Sequence, residues 1–250
     1  MSWRWTAPGI ALVLVFAVIQ APAWLLSQQA QRQLPGLDWL SAEGTVWSGS
    51  GMGLYYRFGD RQLFFERLQW RVQPLALLRG RLSLAVRAEG QGQYLAGDLG
   101  SGLDGVWRFE NGTLALPVTA IAGAGSQLHG QLELAIAELA IDDQQILALE
   151  GTGLWRAARW QAPGYTVSLG DLALDLEDDG KGAAAIALRN RGGDDSLSAN
   201  LNLDLLGRYR LRAALAPAPD SRAGWTQWLP LLATPDGEGG YQLTDWGTLW

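Results

Sequence analysis

Alternation with a period of two residues runs through most of this chain and restricts its fold more than any other feature. In "QLFFERLQWRV", residues 62–72, Phe64, Leu68, Trp70 and Val72 share one parity while Arg67, Gln69 and Arg71 occupy the other, as a strand with one buried face requires. After "QPLALLRG", where Pro74 interrupts the pattern and one helical turn fits, Leu82, Leu84, Val86 and Ala88 face in and Arg81, Ser83, Arg87 and Glu89 face out. In "QLHGQLELAIAEL" the apolar set is Leu128, Leu132, Leu134 and Ile136, opposite Gln127, His129, Gln131 and Glu133. "DLALDLEDDGKGAAAIALRN" reads as two strands around an Asp-Asp-Gly-Lys-Gly turn. Leu197, Leu201, Leu203 and Leu205 alternate with Ser196, Ser198, Asn200, Asn202 and Asp204; across Leu206 and Gly207, Tyr209, Leu211 and Leu215 alternate with Arg208, Arg210 and Arg212. That hairpin sets a polar outer row against a basic one. The pattern predicts an all-β fold, mostly antiparallel, either as a one-sided curved sheet or as a β-sandwich or groove. Helix is scarce; "SRAGWTQWLPLLAT", with Trp225, Trp228, Leu229 and Leu232 at helical spacing, is the best candidate within the body.

Composition removes several function classes. Hydrophobic residues make up 48% of the chain and charged ones 18%, which argues against disorder, and a net charge of −6 offers no footprint for nucleic acid. The absence of cysteine excludes disulfides and thiolate chemistry, and the single histidine, His129, cannot build a multi-histidine metal site. "GTVWSGSG", residues 44–51, lacks both the lysine of a phosphate loop and a following helix. The Asp-Asp pairs beginning at Asp142, Asp178 and Asp194 lack the spacing of a calcium loop and read as turns. No two carboxylates stand out as an acid and base pair. The expectation is therefore a non-enzyme with no catalytic residue, no cofactor and no metal.

The N-terminus carries 22 uncharged, mostly apolar residues, 5–26, about 33 Å long as a helix and enough to span a bilayer. Arg4 precedes this stretch and Arg32 is the next charge, so residues 1–4 are expected in the cytoplasm, 5–26 as a single transmembrane signal anchor, and 27–250 as an exported β-rich domain. Trp3, Trp5 and Trp24 are placed as interfacial anchors. The competing reading is a cleaved signal peptide, because "APA" at residues 21–23 has the small-residue pattern of a cleavage site. The apolar run continues through "WLL" past that site, which favours the anchor.

Two motifs stand in a fixed order. Gly44, Thr45, Trp47, Ser48 and Gly49 form the first, around Val46; Trp70, Pro74, Leu75, Leu78 and Gly80 form the second. Together with "APAWLL", "LPGLDWLSAEG" and the late "GRYRL", they resemble the type II secretion system protein N (GspN) family along nearly the whole chain. The resemblance implies a single-pass inner-membrane protein whose bulk lies in the periplasm, an accessory part of the type II pathway that exports folded proteins, with other secretion components as partners and no catalytic residues. The chain is also similar in style to AsmA/TamB-like proteins, which implies an alternative: a β-groove that binds or transfers phospholipid or another hydrophobic ligand. The closing "DWGTLW" is expected to form an exposed edge strand or docking tail.

Overall fold

The computed structural model describes residues 16, 19–33, 36–58, 61–77, 80–123, 125–143, 145–162, 165–190, 196–216, 233–237 and 239–248. Among them, fourteen strands form one antiparallel sheet. The order is β1 (Leu37–Gly44), β2 (Ser48–Phe58), β3 (Arg61–Val72), β4 (Arg81–Gly90), β5 (Gln93–Gly102), β6 (Trp107–Pro117), β7 (Leu128–Ile141), β8 (Ile146–Ala162), β9 (Tyr165–Asp178), β10 (Ala184–Asn190), β11 (Ser196–Leu203), β12 (Arg208–Ala216), β13 (Thr234–Pro235) and β14 (Tyr241–Thr248). Strands β1 to β12 follow one another in space as in sequence, β14 pairs with β12, and β13 closes two residues of its far side. Helices α1 (Trp24–Gln33) against β1, α2 (Pro74–Leu77) between β3 and β4, and α3 (Val118–Ala122) between β6 and β7 accompany the sheet. The all-β expectation holds in its one-sided form; among the described residues there is no second sheet, so the sandwich alternative does not.

The sheet is rolled. In a flat sheet β3 and β5 would lie about 9.6 Å apart at about 4.8 Å per strand, yet residues of the two come within 8 Å, and α3, between β6 and β7, also reaches β3. Rolling lets one layer bury its own apolar face. Leu172 keeps 1% of its surface, and Leu174 and Leu176 are buried beside it. Two clusters result: Phe65, Leu68, Trp70 and Ala88 with Ala23 at the β1–β5 side, and Ile146, Leu149, Leu176 and Ala184 at the β7–β10 side.

Two phases differ from the sequence reading. Phe65, not Phe64, is the buried aromatic of β3, because Glu66 and Arg67 are exposed in succession and reverse the alternation there. The kink crosses three strands: Gly53, opposite Glu66 in β2, has φ 61°, and Leu40 and Ser41 are successively exposed in β1. Phe64 instead meets Tyr55 ring to ring at 4.6 Å. Secondly, β11 ends at Leu203, and Leu205 lies in the turn, where the Asp204 carboxylate accepts the backbone N–H groups of Leu206 and Arg208 at 3.0 and 2.9 Å. Across the hairpin, Asn200 faces Arg212 and Asn202 faces Arg210, as the outer rows required. His129 is a strand residue of β7. The helix expected around Trp225, Trp228, Leu229 and Leu232 lies outside the described residues.

The apolar N-terminal stretch does not continue as one helix to Leu26. Gln20 closes a helical turn on Phe16, residues 21–23 leave the helix, and α1 starts afresh at Trp24. No helix among the described residues is long and apolar enough to cross a membrane, and most of residues 5–18 lie outside them.

Candidate functional site: the motif corner and the polar face

The first motif is the turn from β1 to β2. Gly44 ends β1 with φ 95°, a conformation that costs glycine nothing and strains any other residue, and a Cβ there would press on the Ser48 carbonyl oxygen. Thr45 holds the turn together: its N–H donates to the Ser48 carbonyl at 2.9 Å, and its hydroxyl oxygen accepts the N–H groups of Trp47 and Ser48 at 3.3 and 3.2 Å. Gly49 pairs directly with Trp70, whose ring lies over it; a Cβ on Gly49 would overlap that ring and the Glu43 carbonyl oxygen.

Trp70 joins the two motifs. It is 6% exposed, donates its indole N–H to the Thr45 carbonyl at 3.2 Å, and meets Trp39 edge to face at 6.1 Å. Val72 N–H donates to the Trp47 carbonyl at 2.7 Å. The arrangement recurs at Trp155, which donates to the His129 carbonyl at 3.1 Å beside Gly130, where a Cβ would meet its ring. Pro74 and Leu75 lie in α2 and Gly80, with φ 69°, closes that connection through its N–H to the Leu77 carbonyl; Leu78 lies outside the described residues. The structure thus brings Gly44, Thr45, Trp47, Ser48, Gly49 and Trp70 to one corner and puts Pro74, Leu75 and Gly80 in the adjoining connection.

Into this corner comes a segment that the sequence reading assigned elsewhere. Pro22 forms a β-bridge with Thr45, Ala23 N–H donates to the Gly44 carbonyl at 3.1 Å, and Val46 N–H donates to the Ala21 carbonyl at 2.9 Å. Ala23 is 2% exposed, packed in the cluster with Trp70 and Phe65. The small residues that resembled a protease site are the ones that fit closest to the sheet.

The polar face carries a second feature. The pairings Asp98–Glu110, Glu110–Glu138, Glu138–Glu150 and Glu150–Glu177 place five carboxylates directly opposite one another across β5 to β9. The row continues to Ala185, Asn202 and Arg210 on one side and to Ala85 and Arg71 on the other, so a cation stands beyond each end. Asp98 accepts from Gln73 Nε2 at 2.6 Å and Asn111 Nδ2 at 3.2 Å. A cavity of about 800 Å³ opens over the β6–β11 part of this face, lined by Glu150, Thr152, Asp175, Glu177, Asn200 and Asn202 among others. The carboxylates run in a line and do not converge; no group of three or more acidic or histidine side chains among the described residues could hold a metal ion.

Like charges directly opposite destabilise a sheet, and two of them about 5 Å apart in water repel by about 0.8 kcal/mol. Glu138→Gln, at the centre of the row, is therefore expected to raise the unfolding free energy by up to about 1 kcal/mol. Added salt should stabilise the parent chain more than the variant. Denaturant titrations at low and high salt check both; a destabilised variant would show that the row is held by attraction.

Residues 35–244 match the family described as Type II secretion system (T2SS), protein N. A type II secretion system protein N from Vibrio cholerae serotype O1 is 28% identical, with 95% of each chain covered, and one from Aeromonas hydrophila is 24% identical, with 92% of each covered. No solved structure matches significantly. The matched span begins just before β1 and ends within β14, taking in both motifs, the corner they build and every strand between; the chain belongs to the type II secretion system protein N family.

Proposed function

We propose that this chain is a non-enzymatic accessory component of the type II secretion pathway, anchored in the inner membrane by its N-terminal apolar stretch, with the sheet in the periplasm, and that it supports export by binding other secretion components. The family relation supports the pathway, and the open edge of the sheet supports the mode of action. β14 is paired with β12 along its length but with β13 only at Tyr241 and Gln242, which leaves the edge from Leu243 to Thr248 open among the described residues. Trp246 projects from it with 73% of its surface exposed. Its backbone can accept an added strand from a partner, and an exposed tryptophan supplies the side-chain contact.

The docking of residues 21–23 favours an anchor over a cleaved signal. Cutting after Ala23 would remove three residues whose backbone already pairs with the β1–β2 turn and would open the cluster around Trp70. The anchor on this reading ends near Gln20, not at Leu26. A phospholipid groove is the second reading: Leu172, Leu174 and Leu176 are buried in the sheet, but Leu95, Leu114, Leu132 and Leu134 on the same apolar face are only half-buried.

A photo-crosslinking amino acid at Trp246, in cells that carry the secretion system, is expected to capture a secretion subunit identified by mass spectrometry. In separate cells, Trp246→Arg should reduce export while the chain stays folded. Export at the parent level from cells containing the folded variant would remove β14 from the mechanism.

A further inference from the structure

Because consecutive strands reverse direction, the connections after β1, β3, β5, β7, β9 and β11 all fall at one end of the sheet, and those after β2, β4, β6, β8 and β10 at the other. The two rims differ in chemistry. At the first, Leu75 in α2 and Leu103 in the β5–β6 turn are 75% and 95% exposed, and Leu77, Leu82, Trp107, Leu147 and Leu206 are also exposed. At the second, the connections "FGDR" and "GQGQ" are polar, and Ile121, in α3, is the one large apolar side chain so exposed among the described residues. The apolar rim is also where residues 21–23 join the β1–β2 turn, with exposed Trp24 and Leu25 immediately after.

Leu103 is held out deliberately in physical terms. Gly105 N–H donates to the Gly102 carbonyl at 3.2 Å, Val106 N–H donates to Asp104 Oδ1 at 3.1 Å, and Arg108 pairs with Asp104 at 2.8 Å. The Arg108 hydrogen bond, helped by the Val106 N–H, lowers the Asp104 carboxyl to about 2. The turn is thus a closed, charge-compensated loop with a bare leucine at its tip. The turns after β7 and β9 are acidic, with Asp142, Asp143, Asp178 and Asp179, so the apolar side chains cluster on the β1–β6 side of the rim, with Leu147 and Leu206 standing singly beyond it.

We infer that the β1–β6 rim, led by Trp24, Leu75, Leu77, Leu103 and Trp107, rests in the interfacial zone of the lipid bilayer that holds the chain's own anchor. The inference depends on the anchor proposed above. A leucine or tryptophan moved from water to the boundary of the acyl region loses unfavourable hydration, and tryptophan favours that level. The anchor's exit is bonded to this rim through Thr45 and Val46 without an intervening linker, so insertion of one positions the other. The sheet then stands with its strands rising from the membrane and its polar rim farthest from it.

The chain has no cysteine, so single-site labelling is direct. Full-length chains with Leu75→Cys, Leu103→Cys, Gln91→Cys or Ile19→Cys, each carrying bimane, are placed in nanodiscs of phosphatidylethanolamine and phosphatidylglycerol, with and without lipid bearing a doxyl group near the headgroup. Labels at Leu75, Leu103 and Ile19 are expected to lose most of their emission to the doxyl lipid, and the label at Gln91, on the polar rim, none. Quenching at Ile19 without quenching at Leu75 and Leu103 overturns the rim contact and leaves the anchor standing. A blue shift at Leu103 without quenching means that protein, such as a second copy, covers the rim, and overturns it too. No quenching at any of the four overturns both readings.

Discussion

Trp70→Ala is expected to lower the unfolding free energy by about 3–5 kcal/mol, the cost of emptying a buried aromatic site that cannot collapse. The site cannot collapse because its floor is backbone. The indole lies over Gly49, which has no side chain to swing into the gap, and its edge is fixed against Trp39 and by the hydrogen bond to Thr45. Trp70→Phe separates the contributions: it keeps most of the ring and loses the donated N–H, so it should cost about 0.5–1.5 kcal/mol for the bond alone. Denaturant unfolding of the three proteins gives the comparison. Trp47, the tryptophan inside the motif, is half-buried and should matter less. A Trp47→Ala change larger than Trp70→Ala would reverse the assignment.

Leu172→Ala should cost about 2–5 kcal/mol, the range for a fully buried leucine. Its larger interest is where the loss is felt. Each strand touches its sequence neighbours and little else, so stability is close to a sum of local terms, as in a repeat protein. Hydrogen exchange should therefore accelerate in β8, β9 and β10 of the variant while β2, β3 and β4, built around the Trp70 cluster, keep their parent rates. Uniform acceleration along the chain would show instead that all the strands open as one unit.

The strands were legible because each has one wet face, and that asymmetry writes period two directly into the residues. What was not legible is what period two cannot carry. Counting outward from the "DDQQ" turn puts Glu138 out of step with Glu150, because an irregularity between Ala140 and Ile141 shifts the register by one residue before that pair is reached. Without that shift, visible only in the pairing, the acidic row cannot be assembled. Phe64 was given the place of Phe65 for the same reason, a local reversal of phase at Glu66. Most of the motif residues meet at one corner, but the segment that packs against them is not legible: Ala21, Pro22 and Ala23 are small and apolar both for a signal peptidase and for a tight fit against a β-turn, and sequence alone does not distinguish the two. A cue was present in Pro22, which ends the helix before it and lacks the N–H that a central strand would need.

The pairing order has a consequence for how the chain acquires its structure. From β1 to β12 every strand pairs with the one before it, so a chain emerging from its N-terminus always presents the next strand to a partner already in place. Loop closure at each step spans only a turn, and no strand waits exposed for a distant mate. The first contact in that sequence is the corner itself: once Thr45 has met Pro22, each later hairpin adds to a template that is already seated. Assembly then resembles knitting from a fixed first stitch, and only β14, which must return past β13 to find β12, closes out of order.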